Sequence, residues 1–318
     1  MCFVGPRACV GPAAPPVGAG RGGREPMVDL AQAAVSGILM GAFYALMALG
    51  LTLGWGFLET IDFAHFAIIF GFGYLTYELA TRGLDPLVVL LLAAPVGCLV
   101  GAGWRFLLRT VRLDAARSLV FTFGVLVVFE GVSKLVWTAD YRRIPVAQNP
   151  YALGALRVGD LAFPVTQVVS FFLAVLVAAA VSLILKRTYA GKALRAAVLD
   201  EEMTRSCGAD VERLRLMLAA VGGATGGVAG VLVAMNYTLY PNAAEQWIGL
   251  LFASVILGGI GNPTGVVLGG IVIGVGEAVA QVLGATAAAR LVGACALLVG
   301  LLLRPEGLLP SVLGRREG

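Results

Sequence analysis

"FPVTQVVSFFLAVLVAAAVSLIL", residues 163–185, runs without one charged side chain. A helix needs about 20 apolar residues, at about 1.5 Å of rise each, to cross the hydrocarbon core of a bilayer. This stretch is that long, and a second uncharged run covers residues 216–244. Between them lies "KRTYAGKALRAAVLDEEMTRSCGADVERLR", residues 186–215, crowded with charge. Apolar runs separated by short charged connections read as repeated membrane crossings.

Composition carries that reading to the whole chain. Of 318 residues, 59% are hydrophobic and 13% charged, against about 25% charged in an ordinary soluble domain. The mean hydropathy is +0.90. No water-soluble fold of this size hides so much apolar surface. A membrane β-barrel would instead show alternating segments of about ten residues. The fold class is therefore all-α, a polytopic transmembrane helix bundle of about 8–9 hydrophobic segments.

The expected spans are 30–53, 56–79, 87–108, 119–137, 163–185, 214–237, 248–260, 265–283 and 289–303. The seventh is too short to cross upright, which predicts a broken or re-entrant segment. "GGIGNPTGVVLGG", residues 258–270, supplies the break: Asn262 and Pro263 sit among glycines, and proline removes a backbone donor. The break fits either a sharp turn or a loop lining a pathway.

Lys and Arg gather at residues 104–118 and 186–215, which by the positive-inside rule face the cytoplasm. These short basic connections are what topology requires, so nucleic-acid binding is not indicated. The side of the N-terminus stays open: nine straight spans put it outside, one re-entrant segment puts it inside. Residues 1–26 are rich in Pro, Gly and Arg and read as a disordered tail or a mis-assigned start, with Met27 an alternative start. Residues 27–318 then form one transmembrane domain. The cysteines Cys2, Cys9, Cys98, Cys207 and Cys295 lack metal-ligand spacing, and the chain has a single histidine, so neither a metal nor a cofactor is expected. Glycines four apart, such as Gly37 with Gly41 and Gly97 with Gly101, predict close helix packing.

Ionisable residues within the apolar segments are few. Asp62 and His65 open "TIDFAHFAIIFGFGY", residues 60–74. Asp62 is placed to cap a helix, with His65 one turn on and able to hydrogen-bond to it. Glu130 and Lys134, at i and i+4, are expected to pair. Glu277 stands alone in "GIVIGVGEAVAQVLG", residues 270–284, and must be paired, protonated or wet.

The 186–215 loop looks built for docking. Residues 192–207 read as one short helix, with Gly208 at the C-terminal cap position. Leu194, Ala197 and Val198 share a face; Arg195, Asp200, Glu202 and Arg205 fall largely elsewhere. Its mixed charge, with Asp200, Glu201 and Glu202 in a row, favours a protein partner over an anionic lipid surface. Gly191-Lys192 lacks the upstream glycine and following Ser or Thr of a phosphate loop, so any nucleotide belongs to another subunit.

Five stretches together resemble the LivH-type permease subunit of branched-chain amino acid ABC transporters. They are "GILMGAFYALMALGLTLGWGFLETIDFAH" (37–65), "TFGVLVVFEGVSKLVWTADYRRIP" (122–145), "GKALRAAVLDEEMTRSCGADVERL" (191–214), "GGIGNPTGVVLGGIVIGVGEAV" (258–279) and "RPEGLLP" (304–310). Four positions depart from the family's pattern: Asp62 stands where Asn is usual, Phe66 where Gly is usual, and Thr204 and Cys207 where apolar or small residues are more common. The resemblance implies an importer in a bacterial cytoplasmic membrane. Its partners would be cytoplasmic ATPase subunits, a second, paralogous permease, a periplasmic substrate-binding protein and an amino acid substrate, with the chain itself no enzyme. It makes Gly191, Lys192, Leu194, Arg195, Ala197, Glu201, Glu202 and Gly208 the ATPase-coupling loop. Asp62, His65, Phe66, Asn262, Pro263 and Glu277 are the candidate pathway or motif residues. The alternatives are a urea or amide permease of the same fold, an ion-coupled transporter or channel using Asp62, His65 and Glu277 as a proton path, and an assembly protein without transport.

Overall fold

Helix α1 (Pro26–Leu58) is the axis of the molecule: from Ala42 to Leu51 nearly every side chain is buried. The computed structural model describes residues 26–111, 115–158, 161–284, 291–303 and 307–309. Residues 1–25 of the expected tail and most of the 304–310 motif lie outside the described residues. After α1 come α2 (Ala64–Thr81), α3 (Pro86–Val111), α4 (Ala115–Trp137), β1 (Ala155–Val158), β2 (Leu161–Pro164) and α5 (Val165–Arg187). Then follow α6 (Tyr189–Leu199), α7 (Glu201–Ser206), α8 (Val211–Asn236), α9 (Ala243–Gly258), α10 (Pro263–Val282) and α11 (Val292–Leu303).

Six helices, α1, α3, α4, α5, α8 and α10, are long and apolar enough to cross a membrane, and α9 and α11 are shorter apolar helices. With α2, these make nine rods in a helical bundle. The antiparallel hairpin β1–β2 was not foreseen from sequence; it caps the end opposite the basic loops. Gln32, in the second turn of α1, donates to the Ala162 carbonyl at 2.8 Å and accepts from its amide at 3.0 Å. The start of α1 therefore lies at the hairpin end, away from the Lys186–Arg187 end of α5.

Glycines set the helix contacts. Gly37 and Gly41 of α1 face Gly270 and Gly274 of α10, and a methyl group at any of them would overlap the opposing backbone. Gly97 and Gly101 of α3 meet Gly223 of α8 in the same way. Lipid tails are as apolar as leucine, so such backbone-to-backbone packing supplies much of the association energy.

Two boundaries differ from the sequence reading. The expected span 56–79 is divided: α1 runs on to Leu58, Glu59 takes a left-handed backbone (φ 55°), and α2 starts at Ala64. The expected single helix 192–207 is two helices, α6 and α7. Asp200 is extended between them (φ −151°), and its side chain accepts from Met203 N at 2.9 Å, capping α7. Aspartate competes for backbone donors at helix starts, which is why it interrupts the run.

The α9–α10 break is a sharp turn. Gly259 and Gly261 have positive φ, and Pro263 occupies the first turn of α10, where its missing N–H has no partner to lose. Asn262 Oδ1 accepts from Gly265 N at 3.3 Å and from Thr264 Oγ1 at 2.7 Å. Gly261 N donates to Thr52 Oγ1 at 3.0 Å, pinning the turn to α1.

Candidate functional site

The candidate residues fall into three places. The first is the α5–α8 connection. Thr188 caps α6, its hydroxyl accepting from Gly191 N at 3.1 Å. Gly191 lies so close to the Leu185 backbone that no side chain fits. Leu194 and Val198 join Leu53, Phe57, Leu185, Leu214 and Leu218 in a buried cluster, with Ala197 buried beside them. The face read from sequence as a docking surface is thus spent inside the chain, holding α6 under α1, α5 and α8. What α6–α7 presents outward is a different set: Tyr189 (72% exposed), Leu199 (53%) and Met203 (64%), interspersed with Lys192 and Glu202. Sequence reasoning missed these three. Their signal was that large apolar residues sit on the polar side of an amphipathic helix. Arg195 Nη2 reaches the Lys186 carbonyl at 3.4 Å, so this side chain is partly tied to α5. Gly208, at φ 85°, does end the α7 segment.

An ion-pair lattice fixes this elbow to the bundle. Glu201 binds Arg205 at 2.6 Å and Arg215 at 2.9 Å; Arg215 also meets Glu212 at 3.4 Å, and Glu212 lies 3.8 Å from Arg109 of α3. Burial raises the Glu201 carboxyl, but hydrogen bonds from Arg205 and the charge of Arg215 outweigh it and hold it below the ordinary glutamate range.

The second place is the α1–α2 turn. From the position before the α2 N-cap, Asp62 Oδ1 accepts from Ala64 N at 2.9 Å; the N-cap itself, Phe63, has no side-chain cap hydrogen bond of its own. Its Oδ2 accepts from Trp104 Nε1 at 2.7 Å, not from His65. The expected Asp62–His65 hydrogen bond is absent because the imidazole turns inward. His65 Nε2 lies 3.2 Å from the Met47 carbonyl, in the space that the missing side chain of Gly50 leaves open. Phe66 is fully buried and packs near Phe63. Asp62, His65, Trp104, Arg105 and Gly50 line a cavity of about 40 Å³, room for about one water.

The third place is the opposite half of the bundle. Glu277 is not alone: Tyr44 donates to its Oε2 at 2.9 Å. Trp247 meets Tyr44 edge-on at 5.6 Å and Tyr237 at 4.9 Å, and Phe43 stacks on Tyr237 at 5.6 Å. The expected Glu130–Lys134 pair does not form as an ion pair among the described residues; Glu130 is buried, with Oε1 lacking a hydrogen-bond partner there. Nor does a hydrogen bond among the described residues join Asp62, His65 and Glu277 into one path.

These features define a multi-pass helical membrane protein with a helical elbow at its charged end. Residues 33–302 match the family described as "Branched-chain amino acid transport system / permease component", and the chain belongs to that family. It is similar to the high-affinity branched-chain amino acid transport system permease protein BraD of Pseudomonas aeruginosa, 27% identical over 90% of this chain and 96% of the relative. It is 26% identical to the corresponding protein LivH of Escherichia coli K12, over 92% of this chain and 98% of the relative. A shorter match joins it to the probable branched-chain amino acid transport permease protein LivM of Methanocaldococcus jannaschii, 38% identical over 82 residues, 25% of this chain and 24% of the relative. No solved structure matches the chain.

Proposed function

We propose that the chain is the membrane-spanning subunit of an ABC importer for branched-chain or related amino acids, residing in the cytoplasmic membrane. It forms the translocation pathway with a second, paralogous permease; the local match to a LivM protein supports such a pairing. A substrate-binding protein delivers solute to the hairpin end, and cytoplasmic ATPase subunits act on the α6–α7 elbow.

The observation that carries the coupling role is the elbow's construction. Its inner face is buried in the bundle, its flanks are locked by Glu201, Arg215 and Glu212, and Tyr189, Leu199 and Met203 project outward. An apolar surface on a rigid mount at the charged end suits a protein groove. Motion imposed there passes to α8 and α3 without slack, as an alternating-access scheme requires.

The test is reconstitution in liposomes with the ATPases, the partner permease and the binding protein. Leucine uptake dependent on Mg-ATP is the expected result. Uptake abolished by a proton ionophore and indifferent to vanadate would assign the chain to ion-coupled transport.

A further inference from the structure

Glu277 lies within a membrane-spanning helix, half-buried, and among the described residues no Lys or Arg pairs with it. Its one hydrogen bond there is the Tyr44 hydroxyl at 2.9 Å. A carboxylate placed at such depth is costly and calls for a cation or water. Tyr44, its hydrogen-bond partner, belongs to a cluster of aromatic rings with Phe43, Tyr237 and Trp247. Phe43 and Tyr44 are buried; Tyr237, Trp247 and Glu277 are partly exposed beside them. Trp247 crosses Phe43 at 89°, Tyr44 at 74° and Tyr237 at 87°. Aromatic rings next to a carboxylate suit an ammonium ion: a ring attracts a cation over its negative face, and the carboxylate accepts its N–H donors.

The elements place the cluster in the half away from the basic ends. Trp247 is in the second turn of α9, Tyr237 caps the far end of α8, and Glu277 is in the last two turns of α10. The close approach of Gly274 to Gly37 and Gly41 brings Tyr44 and Glu277 within reach. Resting on the proposed importer function, we propose that Glu277 with the Tyr44, Tyr237 and Trp247 rings forms a binding site for the α-ammonium group of the transported amino acid. The site selects solutes by that cation and leaves the side chain to be read elsewhere. Neutral urea and simple amides lack the group it recognises.

The experiment titrates the purified full chain in lipid nanodiscs with L-leucinamide, which keeps the ammonium and lacks the carboxylate, and with N-acetyl-L-leucine, which is the reverse. Calorimetry is expected to show saturable binding of leucinamide and none of N-acetyl-leucine. Glu277→Gln, which still accepts from Tyr44, is expected to weaken leucinamide roughly tenfold to a hundredfold, the cost of one charge-assisted contact. Trp247→Leu, read in the same way, is the second variant, expected to weaken it by at least about threefold. No saturable leucinamide binding to the unaltered chain, equal binding of N-acetyl-leucine, or unaltered affinity in folded Glu277→Gln overturns the proposal. The importer reading is judged separately by uptake in liposomes. Leucine uptake with both maximal rate and KM unaltered in Glu277→Gln overturns this site alone. Leucinamide binding that depends on Glu277, with no ATP-driven uptake of leucine, upholds the site and removes the importer reading.

Discussion

Glu201 accepts a hydrogen bond from Arg215 Nη2 at 2.9 Å, joining α7 to α8 across the Cys207–Asp210 turn. Its other oxygen takes Arg205 at 2.6 Å. The Glu201–Arg215 pair ties the exposed elbow to the membrane-crossing helix α8.

Loss of that link has a signed pH dependence. The Glu201 carboxyl is lowered in the folded protein, so its contribution is complete above the unfolded value of about 4.3 and is lost as the pH falls through the lower folded value. The carboxylate is partly exposed, so the contribution at neutral pH is about 1 kcal/mol or less. The melting temperature of the unaltered protein is expected to exceed that of Glu201→Gln between pH 8 and 5, with the gap closing at lower pH. A gap that persists undiminished at pH 3 contradicts the assignment.

Gly50 and His65 form a lock of the opposite kind, held by shape. A methyl group at Gly50 would overlap the imidazole. Gly50→Ala is expected to destabilise the protein by about 1–3 kcal/mol, and adding His65→Ala is expected to recover part of that loss. Purely additive losses in thermal melts would show that the two do not share the space.

Asp62 and Trp104 test what an acid does where the resemblance leads to the expectation of an amide. Asn offers one acceptor oxygen, whereas Asp62 uses two, for Ala64 N and Trp104 Nε1. Asp62→Asn is expected to cost about 1–2 kcal/mol, Trp104→Phe a similar amount, and the double variant clearly less than the sum. Additivity in a double-mutant cycle would remove the coupling.

The bundle itself was legible in the sequence because bilayer thickness sets a length that uncharged runs such as 163–185 meet directly. The Asn262-Pro263 break was legible too, since proline and positive-φ glycines act locally. The direction in which an imidazole turns was not. His65 and Asp62 are one turn apart, yet the vacancy at Gly50, on another helix, decides that His65 points to Met47. What covers the apolar face of the 186–215 loop was not legible for a similar reason. Amphipathicity finds the buried face of α6 but does not say whether Leu194 is buried by a partner or by the chain's own Leu185 and Leu214. The Asp200 interruption left a local trace, an acid followed by Glu201 and Glu202, but three acids in a row also read as a solvated face. The aromatic ring cluster around Glu277 gathers residues from four helices or their ends, and no spacing in the sequence announces it.

The elbow's outward face carries the central claim. Leu199→Asp with Met203→Asp removes apolar contact area without touching the buried Leu194 face, so the chain is expected to fold, insert and assemble with its partner permease. The direct measurement is Mg-ATP-dependent leucine uptake in liposomes containing the complete complex. The account predicts uptake falling at least about tenfold, equivalent to about 1.4 kcal/mol, with ATPase subunits lost from the purified complex or no longer stimulated by the loaded binding protein. Full uptake with normal ATPase retention in this double variant would contradict it.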